Sequence, residues 1–214
     1  MDRIGQIDSQ PTVFVIDDDP ATRRAITWLL ESNGRQVHVF ESGEAFLQAY
    51  SCERSGCLIL DLRLPGMSGL ALQEELLHRG IPLPVIMLTG FGEVALAVEA
   101  LRRGAIDFIE KPVDETRLLA SIDTAVGLDA ERRRRESLRR SCACRIGRLT
   151  RREREVMTLV VAGKANKVVA YELGISPKTV EVHRARVMSK LEVASLADLV
   201  RLEWQAEHGY SPSA

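Results

Sequence analysis

The chain has 214 residues, of which 45% are hydrophobic, 28% charged and only 5% aromatic, and its formal net charge is -1. This apolar fraction is typical of one or two packed domains and excludes a chain that is disordered throughout. The sequence contains no run of about 18 apolar residues, which is the length needed to span a membrane. Four cysteines are too few for a disulfide scaffold, and Met1–Gly5 lacks the apolar segment of a signal peptide, so we expect a soluble cytoplasmic protein.

The near-neutral net charge is the sum of two unequal halves. Residues 1–128 contain 11 Lys and Arg against 19 Asp and Glu, whereas residues 129–214 contain 18 against 11. Such an asymmetry predicts two domains with different partners, and a basic domain is typical of proteins that bind a polyanion. A basic surface that is merely solvated is an equal alternative on charge alone.

The first half alternates short apolar runs with helical patterns. Strands are predicted at 12–17, 36–40, 57–61, 84–89 and 105–109, and helices at roughly 20–32, 43–50, 69–79, 93–103 and 114–127. Apolar strands that alternate with helices indicate a buried parallel sheet. The expected fold of residues 11–128 is therefore an α/β doubly wound domain with a five-stranded parallel sheet.

The composition changes after Leu128. Residues 129–147 contain the run Arg132–Arg135 and the pair Arg139-Arg140, with few large apolar residues. This predicts a basic linker that extends from the preceding helix, and a solvated extension of that helix is an equal alternative. Cys142 and Cys144 lie here without a nearby histidine, so we expect reduced thiols rather than metal ligands.

Residues 148–207 are predicted to be entirely helical. Thr150-Arg-Arg-Glu153 is a capping box, Asn166 is expected to cap a second helix, and a third begins at Ser176 and Pro177. A fourth helix is predicted over about 196–204. Two helices joined by a short glycine turn, inside a basic all-α unit of four helices, indicate a helix-turn-helix domain.

Polar residues stand at the carboxyl ends of the predicted strands, which is where doubly wound sheets bind ligands. These residues are Asp17, Asp18 and Asp19 after the first strand, Asp61 after the third, Thr89 after the fourth and Lys111 after the fifth. Converging carboxylates form a hard oxygen site suited to Mg²⁺, and a hydroxyl with an ammonium group can hold a phosphoryl group. Each residue alone is more often a cap or turn residue, and the set together predicts a functional site.

Four fragments carry these polar residues in order. They are Val15-Ile-Asp-Asp-Asp19, Leu60-Asp-Leu-Arg-Leu-Pro-Gly-Met-Ser-Gly69, Leu88-Thr-Gly90 and Gly104-Ala-Ile-Asp-Phe-Ile-Glu-Lys-Pro112. The set resembles the CheY-like receiver domain of bacterial two-component response regulators, of the FixJ type, over roughly residues 11–128. Such a resemblance implies a partner sensor histidine kinase.

The resemblance also implies a role for each residue of the acidic site. Asp61 would accept the phosphoryl group, while Asp17, Asp18, Asp61 and the main-chain oxygen of Arg63 would hold Mg²⁺. The charge of Lys111 would offset the negative charge on the phosphoryl oxygens. A haloacid-dehalogenase-type phosphatase also uses an Asp nucleophile after a strand. That family needs a second Asp two positions later, where this chain has Arg63.

A switch and a dimer face are implied as well. Thr89 would hydrogen-bond the phosphoryl group and move toward it, which would let Phe108 rotate inward. In receivers of the FixJ type the fourth helix and fifth strand form the dimer face, and the matching positions here are Val98, Arg102 and Asp107. The Lys111-Pro112 bond is expected to be cis.

The segments 149–157 and 176–188 resemble the LuxR-type helix-turn-helix, a DNA-binding domain, over about Leu149–Leu202. On the helix that begins at Pro177, Val180, Val187 and Leu191 form a core stripe, and the opposite face is small and flanked by cations. A face of this kind can enter the major groove of double-stranded DNA. The predicted DNA contacts are Asn166, Lys167, Lys178, Thr179, Glu181, Val182, Arg184, Ala185, Arg186 and Lys190.

Together the two resemblances imply a transcriptional regulator in which phosphorylation of Asp61 promotes dimerisation and promoter binding, with RNA polymerase as a further partner. They imply a regulator that accepts and slowly loses a phosphoryl group rather than an enzyme. Two alternatives remain open: a basic domain that binds a protein partner, and an aspartyl phosphatase.

Overall fold

The computed structural model describes residues 10–51, 54–90 and 94–209, which divide into two compact units. The first unit ends at Glu131 and the second begins at Arg132. Met1–Gly5, Cys52 and the predicted helix start at Glu93 lie outside the described residues. None of the helices in the described ranges is long and apolar enough to cross a membrane.

A parallel sheet of five strands forms the centre of the first unit, in the order β2-β1-β3-β4-β5. The strands are β1 (Thr12–Ile16), β2 (Gln36–Phe40), β3 (Gly56–Asp61), β4 (Val85–Thr89) and β5 (Asp107–Glu110). Every residue of β1, β3 and β4 is buried, as expected of strands that are covered on both faces. The predicted doubly wound sheet is confirmed.

Helices cover both faces of this sheet. They are α1 (Pro20–Ser32), α2 (Gly43–Ala49), α3 (Gly69–His78), α4 (Val94–Arg102) and α5 (Glu115–Gly147). Because side chains alternate along a strand, Val13 and Val15 pack with residues of α1 and α5, whereas Phe14 and Ile16 pack with residues of α2, α3 and α4. The two cores hold the sheet in place from both faces, and the polar residues lie at the ends of its strands.

The last helix of the first unit is much longer than predicted. It was expected to end near residue 127, but α5 continues to Gly147. Of the two alternatives for residues 129–147, a linker or an extension of the preceding helix, the structure has the extension. Asp129, only 1% exposed, accepts a hydrogen bond of 3.0 Å from the backbone nitrogen of Gly56 at the start of β3. This bond anchors the helix at the point where a linker was expected to begin.

The second unit contains the end of α5 and four further helices. These are α6 (Arg151–Val161), α7 (Asn166–Leu173), α8 (Pro177–Lys190) and α9 (Leu196–His208). Their core includes Val156, Val169, Val180 and Leu199, with Cys142 of α5 buried against it. The four predicted helices of this all-α domain are therefore present.

Most of the predicted helix starts in the second unit are confirmed, and one is wrong. Thr150 and Glu153 form the capping box of α6, and Ser176 caps α8 with Pro177 as its first residue. Asn166 does not cap α7, because Ala165 occupies that position and Asn166 is the first helical residue. The side-chain oxygen of Asn166 instead accepts a hydrogen bond from Arg184, at 2.6 Å.

Gly56 allows β1 and β3 to approach closely. Its φ of +142° lies outside the range of other residues, and an added Cβ would stand 1.8 Å from the carbonyl oxygen of Thr12. We expect Gly56→Ala to lower the free energy of unfolding by more than about 3 kcal/mol, as urea denaturation followed by circular dichroism would measure.

Gly127→Ala is the matched control. Gly127 lies inside α5, and an added Cβ would have nothing within 4 Å, so the substitution is expected to raise stability by about 0.5–1 kcal/mol. Equal effects of the two substitutions would contradict the role given to Gly56.

Candidate functional site

Three carboxylates meet at the carboxyl edge of the sheet. Asp17 and Asp18 follow β1 and Asp61 ends β3, and one oxygen atom of each lies within 4.8 Å of the others. Asp17 and Asp61 are buried, whereas Asp18 is exposed. Carboxylate oxygens at this spacing are hard ligands of the kind that Mg²⁺ prefers, so the donor set fits such an ion.

The ammonium group of Lys111 connects two of these carboxylates. Its Nζ atom lies 2.8 Å from Oδ2 of Asp17 and 2.5 Å from Oδ2 of Asp61. Burial raises the pKa of Asp17 above its ordinary value, although the hydrogen bonds from Lys111 and from the backbone of Asp19 act to lower it. Burial opposes the charge of Lys111, but the two carboxylates outweigh it and raise the pKa of this lysine. The Lys111-Pro112 bond is cis, as predicted.

The three consecutive aspartates have different tasks. Asp17 Oδ1 accepts a hydrogen bond of 2.9 Å from the backbone of Asp19. Asp19 caps α1 by accepting bonds from the backbone nitrogens of Ala21 and Thr22, and its bond from the Thr22 hydroxyl contributes most to lowering its pKa to about 2. Asp19 therefore serves the helix, which leaves Asp17 and Asp18 for the acidic site.

The turn after β3 orients the carboxylate of Asp61. The backbone nitrogen of Arg63 donates to Oδ1 of Asp61 at 3.0 Å, so the turn after β3 holds the Asp61 side chain in place. Thr89, 3% exposed, ends β4, and its carbonyl oxygen accepts a bond of 2.8 Å from the backbone of Lys111. The strand ends thus bring together the predicted residues of this site.

Arg117 of α5 holds the predicted switch residue and was not found from the sequence. Its guanidinium group lies 5.6 Å from the centre of the half-buried Phe108 ring and donates a bond of 2.7 Å to the Phe108 carbonyl. It also donates to Asp107 at 3.1 Å. No local pattern marks this arginine, because its partners lie on the preceding strand.

Two residues of the predicted dimer face are exposed, and the third is half-buried and already has partners. Val98 and Arg102 of α4 are exposed. The Asp107 carboxylate accepts bonds from Ser121 Oγ at 2.6 Å and from Arg117. Burial raises the pKa of Asp107, but these bonds outweigh it and lower the pKa below its ordinary value. A pairing with Arg102 of a second copy stays a prediction and would require sharing these bonds.

On α8 the predicted core and surface positions are separated as expected. Val180, Val187 and Leu191 are buried. The exposed residues among the predicted DNA contacts are Lys167 of α7 and Lys178, Glu181, Val182, Ala185, Arg186 and Lys190 of α8. Thr179 is half-buried, and its hydroxyl lies 2.8 Å from that of the helix cap Ser176. Arg184 is half-buried and held by Asn166, as described above.

Lys190 pairs with a buried carboxylate. Its Nζ atom lies 2.7 Å from Oε2 of Glu153, which is 3% exposed and also accepts a bond of 2.8 Å from the backbone of Thr150. The bond from Lys190 contributes most to lowering the pKa of Glu153 to about 2. This ammonium group neutralises a buried carboxylate, so a contact of Lys190 with a DNA phosphate stays a prediction and would require sharing the group between the two.

The described cysteines are free thiols, as expected. Cys57 and Cys142 are buried and Cys144 is exposed. Burial raises the pKa of Cys57 to about 12 and also raises that of Cys142. These two thiols are therefore held in their protonated, unreactive form at neutral pH.

The pKa of Glu153 predicts a dependence of stability on pH. Because folding lowers this pKa, the carboxylate stabilises the folded state above its ordinary value of 4.5 and loses that effect as the pH falls toward 2. We expect Glu153→Gln to lower the free energy of unfolding at neutral pH, and the difference from the parent chain to shrink below pH 4.5. Urea denaturation at a series of pH values measures this difference in the free energy of unfolding.

Glu207→Gln removes the same charge from an exposed position on α9 and serves as the control. It is expected to leave stability within about 0.5 kcal/mol of the parent. A Glu153→Gln chain that matches this control at neutral pH would contradict a stabilising pair between Glu153 and Lys190.

Comparison with known protein families gives one match for each unit. The profile described as response regulator receiver domain matches residues 13–123. The profile described as bacterial regulatory proteins, luxR family, matches residues 148–203.

Similar proteins cover nearly the whole chain. The transcriptional regulatory protein FixJ of Azorhizobium caulinodans is 49% identical over 190 residues, which cover 89% of this chain and 90% of that protein. FixJ of Rhizobium meliloti is 42% identical and covers 94% of this chain and 98% of its own length. Among solved structures, the response regulator StyR has a TM-score of 0.84 at 42% identity and covers 92% of this chain and 100% of its own. Full-length FixJ from B. japonicum has a TM-score of 0.57 at 40% identity and covers 93% of this chain and 98% of its own.

Proposed function

The chain belongs to the response regulators that join a receiver domain to a LuxR-type DNA-binding domain, and we propose that it is phosphorylated on Asp61. As a member of this family it is a regulator of transcription. The observation that carries the proposal for Asp61 is the meeting of three carboxylates and Lys111 at one edge of the sheet. Asp61 is the carboxylate that both ends a central strand and contacts the ammonium group.

The proposed reaction is a transfer between two side chains. A carboxylate oxygen of Asp61 attacks the phosphorus of a phosphohistidine on the partner kinase. The bond between phosphorus and the imidazole nitrogen breaks, and its electron pair returns to the imidazole. Lys111 is placed to contact the transferred group, because its Nζ atom already lies within hydrogen-bond distance of Asp61.

A divalent ion would supply the remaining positive charge. Mg²⁺ bound at this site neutralises charge on the phosphoryl oxygens. Asp17, Asp18 and Asp61 would hold it together with the main-chain oxygen of Arg63, since the carboxylate oxygens stand close together and the Arg63 backbone is already bonded to Asp61.

Phosphorylation is proposed to change the surface formed by α4 and β5. Thr89 would bond to the phosphoryl group, and Phe108 would then turn inward. The Phe108 ring is half-buried beside Arg117, and this contact would change when the ring turns inward. Val98, Arg102 and Asp107 would form the contact of a symmetric homodimer, whose two helix-turn-helix domains would bind two DNA half-sites.

The second unit is proposed to bind promoter DNA through α8 in the major groove. Glu181 and Val182 are exposed on this helix and would contact base edges. Lys167, Lys178, Arg184 and Arg186 would contact phosphates, together with the start of α7, where Ala165 offers no side-chain cap. Asn166 would hold Arg184, and Thr179 and Ala185 complete the surface. RNA polymerase is a further proposed partner and the cytoplasm the proposed location.

Asp61→Asn tests the phosphorylation site. We expect it to abolish incorporation of labelled phosphate from acetyl phosphate in the presence of Mg²⁺, because the amide cannot form the acyl phosphate. Its circular dichroism spectrum is expected to match that of the parent chain. Asp123→Asn, at an exposed position of α5, is the control that keeps full labelling. Retained labelling of Asp61→Asn would contradict the proposal.

Arg186→Gln tests the DNA interface. Loss of one phosphate contact should weaken binding to a mixed-sequence duplex and reduce the slope of log K against log salt by about 0.9. Fluorescence anisotropy at several KCl concentrations measures both quantities. Arg24→Gln, an exposed arginine of α1, is the control with the same charge change. An unchanged slope for Arg186→Gln would mean that this arginine does not contact DNA.

A further inference from the structure

Arg117 of α5 bonds to two neighbouring residues of β5 at once. Its Nη2 atom donates to Oδ1 of Asp107 at 3.1 Å and to the carbonyl oxygen of Phe108 at 2.7 Å. The same guanidinium group lies 5.6 Å from the centre of the Phe108 ring, which is within the range of a cation–π contact. One side chain of α5 therefore holds both of the β5 residues that the proposed switch uses.

The Phe108 ring lies on the same face of the sheet as Thr89. Strand β5 is at the edge of the sheet and pairs with β4, so that Phe108 is opposite Met87. Met87 and Thr89 are two positions apart on β4 and point to one face, and a paired residue points to the same face as its partner. The Phe108 ring packs in part against the core on that face, which includes Ala100 of α4. An inward turn of this ring is therefore a change on the face that Thr89 and α4 share.

The Asp107 carboxylate is occupied within the chain. Its Oδ1 atom accepts bonds from Arg117 and, at 2.8 Å, from the backbone nitrogen of Phe108, and its Oδ2 atom accepts a bond of 2.6 Å from the buried Ser121. A carboxylate has about four acceptor positions, so one is left, whereas an arginine that forms two parallel bonds needs two. Arg117 is the donor that can leave, because half of its side chain is exposed. Arg102 of a second copy can therefore form such a pair only after Arg117 has left.

We infer that Arg117 forms an autoinhibitory contact, which holds the unphosphorylated chain in a conformation that does not dimerise. This inference rests on the proposed phosphorylation of Asp61 and adds the residue that sets the balance between the two conformations. While Arg117 is in place, the Phe108 ring stays beside it and Asp107 cannot accept two bonds from a second arginine. When the ring turns inward, Arg117 loses the cation–π contact and its hold on this part of β5 weakens. Phosphorylation releases this contact once in each protomer of the symmetric dimer.

The exposure of the ion pair limits the strength of this contact. The side chains of Arg117 and Asp107 are 50% and 29% exposed, so solvent screens the pair, and its loss changes an equilibrium by about threefold. A contact of this strength biases the two conformations without locking one of them. Because a symmetric dimer releases the contact twice, its loss is expected to tighten dimerisation by the square of this factor, which is about tenfold.

Arg117→Met in the full chain tests the contact. Methionine has a helical preference close to that of arginine, but it donates no hydrogen bond. Arg24→Met, at an exposed position of α1, is the control with the same chemical change. After thermal melts have shown that both variants fold, sedimentation equilibrium measures the dimer dissociation constant of each chain in Mg²⁺, before and after treatment with acetyl phosphate. Incorporation of labelled phosphate is measured in the same samples.

We expect the unphosphorylated Arg117→Met chain to dimerise about tenfold more tightly than the parent, whereas the phosphorylated chains should differ by less than about twofold. Arg24→Met should match the parent in both states. If Arg117→Met behaves as Arg24→Met while the parent is labelled and dimerises on phosphorylation, this inference alone is overturned. Weaker dimerisation of Arg117→Met in both states would also overturn it, since Arg117 would then belong to the dimer contact. A parent that takes up no phosphate, or does not dimerise with it, would overturn the proposed function and this inference together.

A second measurement follows the Phe108 ring itself. The chain contains five phenylalanines, and after labelling with 4-fluorophenylalanine the ¹⁹F resonance of Phe108 is identified by its loss in Phe108→Leu. The change of this resonance between H₂O and D₂O reports how exposed the ring is. In unphosphorylated Arg117→Met this solvent effect should be smaller than in the parent and approach that of the phosphorylated parent, because the ring has turned inward. A larger or equal effect would mean that the ring stayed in place when the arginine was removed, and the inference would be wrong.

Discussion

Two buried carboxylates that face one ammonium group constrain the first unit. Asp17 and Asp61 would repel each other at a buried edge of the sheet, and Lys111 offsets that repulsion by bonding to both. The three groups come from sequence positions far apart and meet because β1, β3, β4 and β5 are parallel neighbours whose carboxyl ends share an edge. The helices on both faces keep the strands buried and in register, so the packing of the whole domain serves the placement of these charges.

The sheet and its polar edge could be predicted because their signals are local. Continuous apolar runs identify buried strands, and the residue after each run identifies the edge. The length of α5 could not be predicted in this way, since arginine, serine and alanine suit both a linker and an exposed helix. The contact between Asp129 and Gly56 joins residues 73 positions apart. Asparagine is a common cap residue, which is why Asn166 was expected to cap α7, but its side-chain oxygen accepts a hydrogen bond from Arg184 of another helix.

Charged residues show the limit of pattern reading most clearly. On a helical projection Lys190 resembles Arg186, and only the structure shows that Lys190 neutralises the buried Glu153. Arg117 has no pattern at all, because its partners Asp107 and Phe108 lie on β5. A count of charges gives the sign of a surface, whereas the pairing of each cation decides how much of that charge is available to a partner.

The buried bond from Gly56 to Asp129 has a consequence for how α5 can move. The strand β3 has a carboxylate at each end: Asp61 at its carboxyl end, and Asp129 of α5 bonded at its start. The rotation of α5 about its own axis is therefore fixed relative to the strand that carries Asp61. Because each helical residue advances the rotation by 100°, the bond also fixes which side chains of α5, such as Leu118, Ile122 and Ala125, face the sheet.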